Sequence, residues 1–244
     1  MSQSGLNETV DAEPAGSGWK SLDKLGGAAV LLAAVLSLTE IGISFLPAAR
    51  MPPPESVTGW FSFFQNHWFL GLRDLGLLNI FGAALLAPTF LAIYSALRRE
   101  NQAFAALGTI LFFVGMAVYL ASSRAFPMLS LSREYASATT DAQRSLLLAA
   151  GQTMLAEGEG RAGIPLIELA GLVISVVMLR GKIFSKVTAY AGILGYVLLL
   201  IFEIILASAW GLTVPGLVIA GTGGVALITW DILVGRKLLQ LGRL

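Results

Sequence analysis

The sequence predicts an all-α fold, an integral membrane six-helix bundle with amphipathic helices in its outer loops, and three observations carry that prediction. The chain is 56% hydrophobic and 13% charged, whereas about 25% of the residues of a water-soluble domain are charged. Six apolar runs each approach the ~20 residues that cross a hydrocarbon core. The runs are continuous rather than alternating. Helices are therefore expected instead of barrel strands, because backbone polar groups in lipid must be paired internally.

Residues 1–24 carry Glu8, Asp11, Glu13 and Asp23 against Lys20 and Lys24, among many Ser, Gly and Ala residues. They read as a disordered cytoplasmic tail and lack the basic start of a secretory signal. The transmembrane domain is expected over 25–234, with spans near 25–47, 75–97, 104–123, 163–179, 187–210 and 214–234. Residues 235–244 alternate basic and leucine residues and read as a basic amphipathic cytoplasmic tail on the inner leaflet.

Prolines fit these limits. Pro165 and Pro215 stand at the starts of the fourth and sixth runs, where a missing N–H costs nothing, and Pro47 closes the first. Pro88 falls inside the second and predicts a kink there. Gly216, Ala220 and Gly224 recur every fourth residue along the sixth run. Such a ladder is a helix-packing face, for a helix of this chain or of another copy.

Basic residues set the orientation. With the N-terminus inside, the inner segments hold Lys20, Lys24, Arg98, Arg99, Arg180, Lys182, Lys186, Arg236, Lys237 and Arg243. The outer segments hold Arg50, Arg73, Arg124, Arg133, Arg144 and Arg161, mostly in two longer loops where the positive-inside rule weighs less. Both termini are expected in the cytoplasm, and the location expected is a prokaryotic plasma (inner) membrane.

The first outer loop packs Trp60, Phe61, Phe63, Phe64, His67, Trp68 and Phe69 into ten residues. Aromatic residues favour the headgroup level, so the segment is expected to lie in the outer interface. A second reading makes it a lid with His67, Arg73 and Arg124 at its rim. In the second outer loop, Thr140-Asp141-Ala142-Gln143 is a helix-start signal, and Leu146, Leu147, Ala150, Met154 and Leu155 follow at helical spacing.

The candidate site rests on carboxylates inside apolar runs, which are rare in lipid. Glu40, Glu168 and Glu203 fall ~8–10 Å below the outer span ends when counted at ~1.5 Å per residue. Asn79 falls at the same level. Helical spacing places Glu40 with Ala33, Ser37 and Ser44, Glu168 with Gly171 and Ser175, and Glu203 with Gly192, Tyr196 and Ala207. Turned together, these faces would line an outward-opening cavity with Glu40, Asn79, Glu168, Tyr196 and Glu203. Three such charges cannot all stay ionised in a low dielectric unless Arg73 or Arg124 compensates. The arrangement suits proton coupling, cation capture or carboxylate-based metal binding, while polar bonding between helices is the bland alternative. Asp231, near the inner end beside Arg236 and Lys237, reads as a locally paired group.

Much chemistry is excluded. The chain has no cysteine and a single histidine, His67, which removes disulfides, thiolate metal sites, multi-imidazole zinc sites and two-histidine haem ligation. No cofactor is expected, and a metal is left open. A net charge of +1 without a basic and aromatic groove gives no reason to expect nucleic acid. No H-E-x-x-H, G-x-S-x-G or paired-aspartate signature lies in the spans, so an enzyme is disfavoured.

Three stretches carry a resemblance: Ala96-Leu97-Arg98-Arg99-Glu100-Asn101 with its flanking spans, Tyr135-Ala136-Ser137-Ala138-Thr139-Thr140-Asp141-Ala142-Gln143-Arg144, and Ile174-Ser175-Val176-Val177-Met178-Leu179-Arg180. From about Trp68 to Gln240 the chain resembles an uncharacterised group of prokaryotic six-span membrane proteins, catalogued as a domain of unknown function. That resemblance implies the helix count and loop layout and brings no site residues. Two functions lead, with an intramembrane enzyme third. One is binding of a lipid or small solute, extending to transport, in the carboxylate-lined cavity. The other is a non-catalytic accessory or scaffold role. The expected partners are the lipid bilayer and either another membrane protein or a second copy of the chain.

Overall fold

The structure is a computed structural model and describes residues 17–44, 54–156, 163–207 and 214–243. Among them every regular element is helical: α1 (Ser17–Ser44), α2 (Val57–Asp74), α3 (Leu77–Ala121), α4 (Ala125–Ser137), α5 (Asp141–Ala156), α6 (Ile164–Arg180), α7 (Lys186–Ala207) and α8 (Val214–Leu241). Four helical stretches are long and apolar enough to cross a membrane: Gly18–Ile43, Val57–Ser137, Lys186–Ala207 and Val214–Leu241. The second of these contains α2, α3 and α4. At 17 residues, α6 spans only about 26 Å.

The long helix α3 is broken at Asn101, whose φ of −154° and ψ of 87° leave the helical region. The Asn101 side chain accepts a hydrogen bond from the N–H of Phe104 at 3.2 Å and so caps the second half, which folds back against the first. Phe90 and Phe112 stack between the halves with centroids 3.9 Å apart. Pro88 lies within the first half, and its carbonyl is approached by α1 at Gly26. The backbone at Pro88 stays helical, and the break at Asn101 falls in the connection expected between the spans 75–97 and 104–123.

The large helices close a ring. α1 packs on α3 and α8, α3 on α6, α6 on α7, and α7 on α8. Glycines set the close approaches. A Cβ on Gly27 would lie 2.9 Å from the carbonyl oxygen of Gly235, and one on Gly115 would lie 2.9 Å from that of Gly163. The centre is filled by Phe90, Ile93, Leu97, Phe112, Ile174, Met178, Tyr196 and Trp230, all buried.

Several expectations need correction. Residues 17–24, read as tail, begin α1: Leu22 packs on the core, and the Trp19 ring lies 4.5 Å from the Arg98 guanidinium. Residues 235–241, read as a tail on the leaflet, continue α8, because Leu238 is fully buried and Gly235 meets Leu31 and Gly27 of α1. On α8, Gly216 and Gly223 are buried, whereas a Cβ on Gly224 would meet nothing within 4 Å. Within this chain the ladder is thus packed at Gly216 and open at Gly224. Pro47 and Glu157 to Ala162 lie outside the described residues.

The two ends of the ring differ. At the basic end gather the starts of α1 and α7, the Asn101 break, the turn after α6 and the end of α8. Here the Glu100 carboxylate accepts the backbone N–H groups of Lys182 and Ile183. At the other end α2, α4 and α5 form a cap with its own core of Trp60, Phe61, Phe64, Leu72, Ala125 and Met128. The aromatic cluster of the first outer loop thus turns half its rings into a protein core. Trp68 and Phe69 stay exposed, at 56% and 50%. Thr140 accepts from the N–H of Gln143 at 3.2 Å, which starts α5 where the sequence places it. The sequence reading had no counterpart of α4.

Candidate functional site

Glu168 stands on the second turn of α6, five residues after Gly163, and is 5% exposed. One of its carboxylate oxygens is fully buried and has no hydrogen-bond partner. The charged group that acts on it is a second carboxylate, Glu203 of α7. Tyr196, two turns before Glu203 on the same helix, is within electrostatic reach of Glu168 and of Asp231 on α8.

Local sequence builds this arrangement. Gly171 lies one turn after Glu168, and a Cβ there would overlap the Tyr196 ring, so only glycine lets the phenol enter between α6 and α7. Ser175, a turn further on, spends its hydroxyl on the Gly171 carbonyl at 2.8 Å. Gly192 then faces the Ser175 hydroxyl and the Trp230 indole, both of which a Cβ would strike. Tyr196 and Trp230 meet edge to face with centroids 5.6 Å apart. The Trp230 indole N–H is buried and unpartnered. Glu168, Tyr196 and Trp230 are buried along this seam, with the half-buried Glu203 acting on Glu168 and the half-buried Asp231 acting on Tyr196.

The other candidates fall elsewhere. Glu40, half-buried near the end of α1, interacts with Arg73, which also lies 3.7 Å from Asp74. Asn79 is exposed, and it shares with Arg124 a cavity of about 50 Å³ beneath the cap, room for little more than water. Arg124 donates to the carbonyls of Met154 at 3.4 Å and Leu155 at 3.1 Å, and so holds the end of α5. His67 is exposed, carries the dihedral break within α2 (φ −141°, ψ 54°) and touches the Phe63 ring.

Among the five residues expected around one cavity, Glu168 interacts with Tyr196 and Glu203, Glu40 with Arg73, and Asn79 lines a cavity with Arg124. The sequence found the first group because carboxylates interrupt apolar runs and Tyr196 shares a face with Glu203. It read Asp231 as a group paired locally with Arg236 and Lys237, whereas its reach to Tyr196 depends on the crossing of α7 and α8. No group of three or more His, Cys, Asp or Glu side chains placed to hold a metal ion occurs among the described residues.

No protein-family description, no curated protein and no solved structure matches this chain.

Proposed function

We propose that the chain is a multi-pass protein of a prokaryotic plasma membrane, with six spans and both termini in the cytoplasm, that binds a small cation or protonatable solute at Glu168, Tyr196 and Glu203 and moves it between the two sides. The six-span count treats the halves of α3 as two spans and accepts α6 as a short one. The clustering of Lys20, Lys24, Arg98, Arg99, Arg180, Lys182, Arg236 and Lys237 at one end supports the orientation.

The single observation that carries the binding reading is the buried, unpartnered oxygen of Glu168 beside a second carboxylate. An acceptor left unpaired in a low-dielectric interior costs about 1–3 kcal/mol. A proton or a cation shared by the two carboxylates offsets that cost, and an intramembrane carboxylate without a fixed cation is the usual mark of an ion or proton pathway. The test uses detergent-purified protein and a panel of Na⁺, K⁺, Mg²⁺ and ethylammonium, read as a shift in unfolding temperature, together with proton flux into dye-loaded proteoliposomes. One panel member or the proton should give a wild-type signal that disappears in Glu168→Gln. A signal that survives both Glu168→Gln and Glu203→Gln, or no signal from the wild type, would sink the reading.

A second reading is favoured by α8, where a Cβ on Gly221 or Gly224 would meet nothing within 4 Å. That open strip suits close approach by another membrane helix, as in an accessory subunit or a homo-oligomer. In that case Glu168→Gln is silent, and Gly224→Leu disrupts assembly.

A further inference from the structure

The helices α3 and α6 touch closely over part of their length and then separate. A Cβ on Gly115 would lie 2.9 Å from the backbone N of Ile167, and one on Gly108 would lie 2.8 Å from the Ile174 side chain. One turn closer to the basic end, small residues give way to Phe104, and at Asn101 the helix stops. The result is a groove of about 390 Å³ between the start of the second half of α3 and the end of α6, within the ~300–1,000 Å³ range of ligand pockets.

Its chemistry is divided. Phe104, Leu172 and Val176 supply an apolar wall, and Phe104 is 51% exposed on the outside of the ring. At the mouth stand Asn101, Glu100 and Arg180. The Glu100 carboxylate is committed to the N–H groups of Lys182 and Ile183. Arg180, exposed at the end of α6, forms no ion pair among the described residues. Arg99 and Lys182 flank the same edge in sequence and are exposed as well.

We infer that this groove is a binding site for an anionic phospholipid, with the phosphate on Arg180 and an acyl chain along Phe104, Leu172 and Val176. Charge complementarity selects the headgroup: a cation lies where the apolar wall ends, and a guanidinium can hold phosphate oxygens through two parallel N–H donors. The site rests on the membrane-spanning part of the reading above and is independent of Glu168. A contrast within the molecule sharpens it. The groove between α1 and the first half of α3 is as large, about 460 Å³, but Leu32, Val35 and Phe81 line it and no charged residue among the described residues does. That groove accepts chains without choosing among headgroups.

Native mass spectrometry of the protein in a neutral detergent, titrated with dioleoyl phosphatidylglycerol or dioleoyl phosphatidylcholine, tests the inference. Phosphatidylglycerol adducts should form at about fivefold lower lipid concentration, the preference expected from one well-placed cation. Arg180→Gln should abolish that preference and leave phosphatidylcholine adducts unchanged. Val176→Trp should lower retention of the preferred lipid, while Val225→Trp, at an exposed position on α8, should not. Equal binding of the two lipids by the wild type, a preference that survives Arg180→Gln, or full retention in Val176→Trp would overturn the inference. Competition by glycerol 3-phosphate as effective as that by phosphatidylglycerol would overturn the lipid in favour of a free phosphate. Glu168→Gln should retain the lipid preference, so failure of the solute site and failure of this one are separable.

Discussion

Glu40 and Glu168 enter the sequence as equivalents, each a carboxylate a few residues from the outer end of an apolar run, yet the fold treats them oppositely. Glu40 meets the guanidinium of Arg73, whereas Glu168 meets another carboxylate and keeps an oxygen without a partner. A compensated charge between helices needs no ligand to explain it. An uncompensated one does, and the difference between a structural and a functional carboxylate lies in the partner rather than in the depth.

The largest effect expected on this comparison comes from Gly171→Ala. Its Cβ overlaps the Tyr196 ring, and overpacking of this kind costs about 1–3 kcal/mol. The unfolding temperature in detergent should fall, and Gly171→Ala combined with Tyr196→Leu should recover part of the loss. No recovery would mean that Tyr196 is not what the glycine accommodates.

The next effect divides the two carboxylates. Glu168→Gln removes a buried charge that lacks a partner, so the unfolding temperature should hold or rise while the solute signal is lost. Glu40→Gln weakens the pairing with Arg73, worth about 0.5 kcal/mol for an interhelical polar contact, and should lower the unfolding temperature slightly with the solute signal intact. The same sign for both substitutions would erase the distinction.

Smaller still, Ser132→Ala removes the hydrogen bond to the Phe61 carbonyl at 2.8 Å inside the cap. About 1 kcal/mol of local stability should go, visible as faster hydrogen exchange in α2 and α4 and not in α6 or α7. Gly224→Ala should change the stability of the single chain little, because nothing in this chain stands within 4 Å of its Cβ. A loss of oligomer in that variant would place a second copy on α8.

How much of this was legible in the sequence follows from what periodicity can and cannot encode. The helices of the ring were legible because an apolar run of this length has few other structures available to it. Glu168, Tyr196 and Glu203 were legible because polar groups stand out against such runs and share helix faces. The pairing of Glu40 with Arg73 was not, since it depends on where the cap returns the chain, and no local spacing records that. The α4 helix was missed because Ala125–Ser137 mixes Ser, Arg and Glu among its apolar residues and gives a faint pattern. Its burial is decided by Trp60, Phe61 and Phe64, more than 60 residues earlier. The extension of α8 was misread for a related reason: a basic and leucine-rich segment suits a leaflet surface as well as a helix, and Gly27 of α1 decides between them.

The ring is closed by its first and last helices, with Gly27 of α1 against Gly235 of α8. During synthesis α1 leaves the ribosome well before its neighbour α8. Until α8 follows, the Gly27 face is open to lipid or to whatever insertion factor attends the nascent chain, although α3 can already cover the Gly26 side. The seam between α1 and α8 therefore zips after the contact of α1 with α3, and a chain stopped before residue 214 would present an open arc with one face of α1 as a free edge.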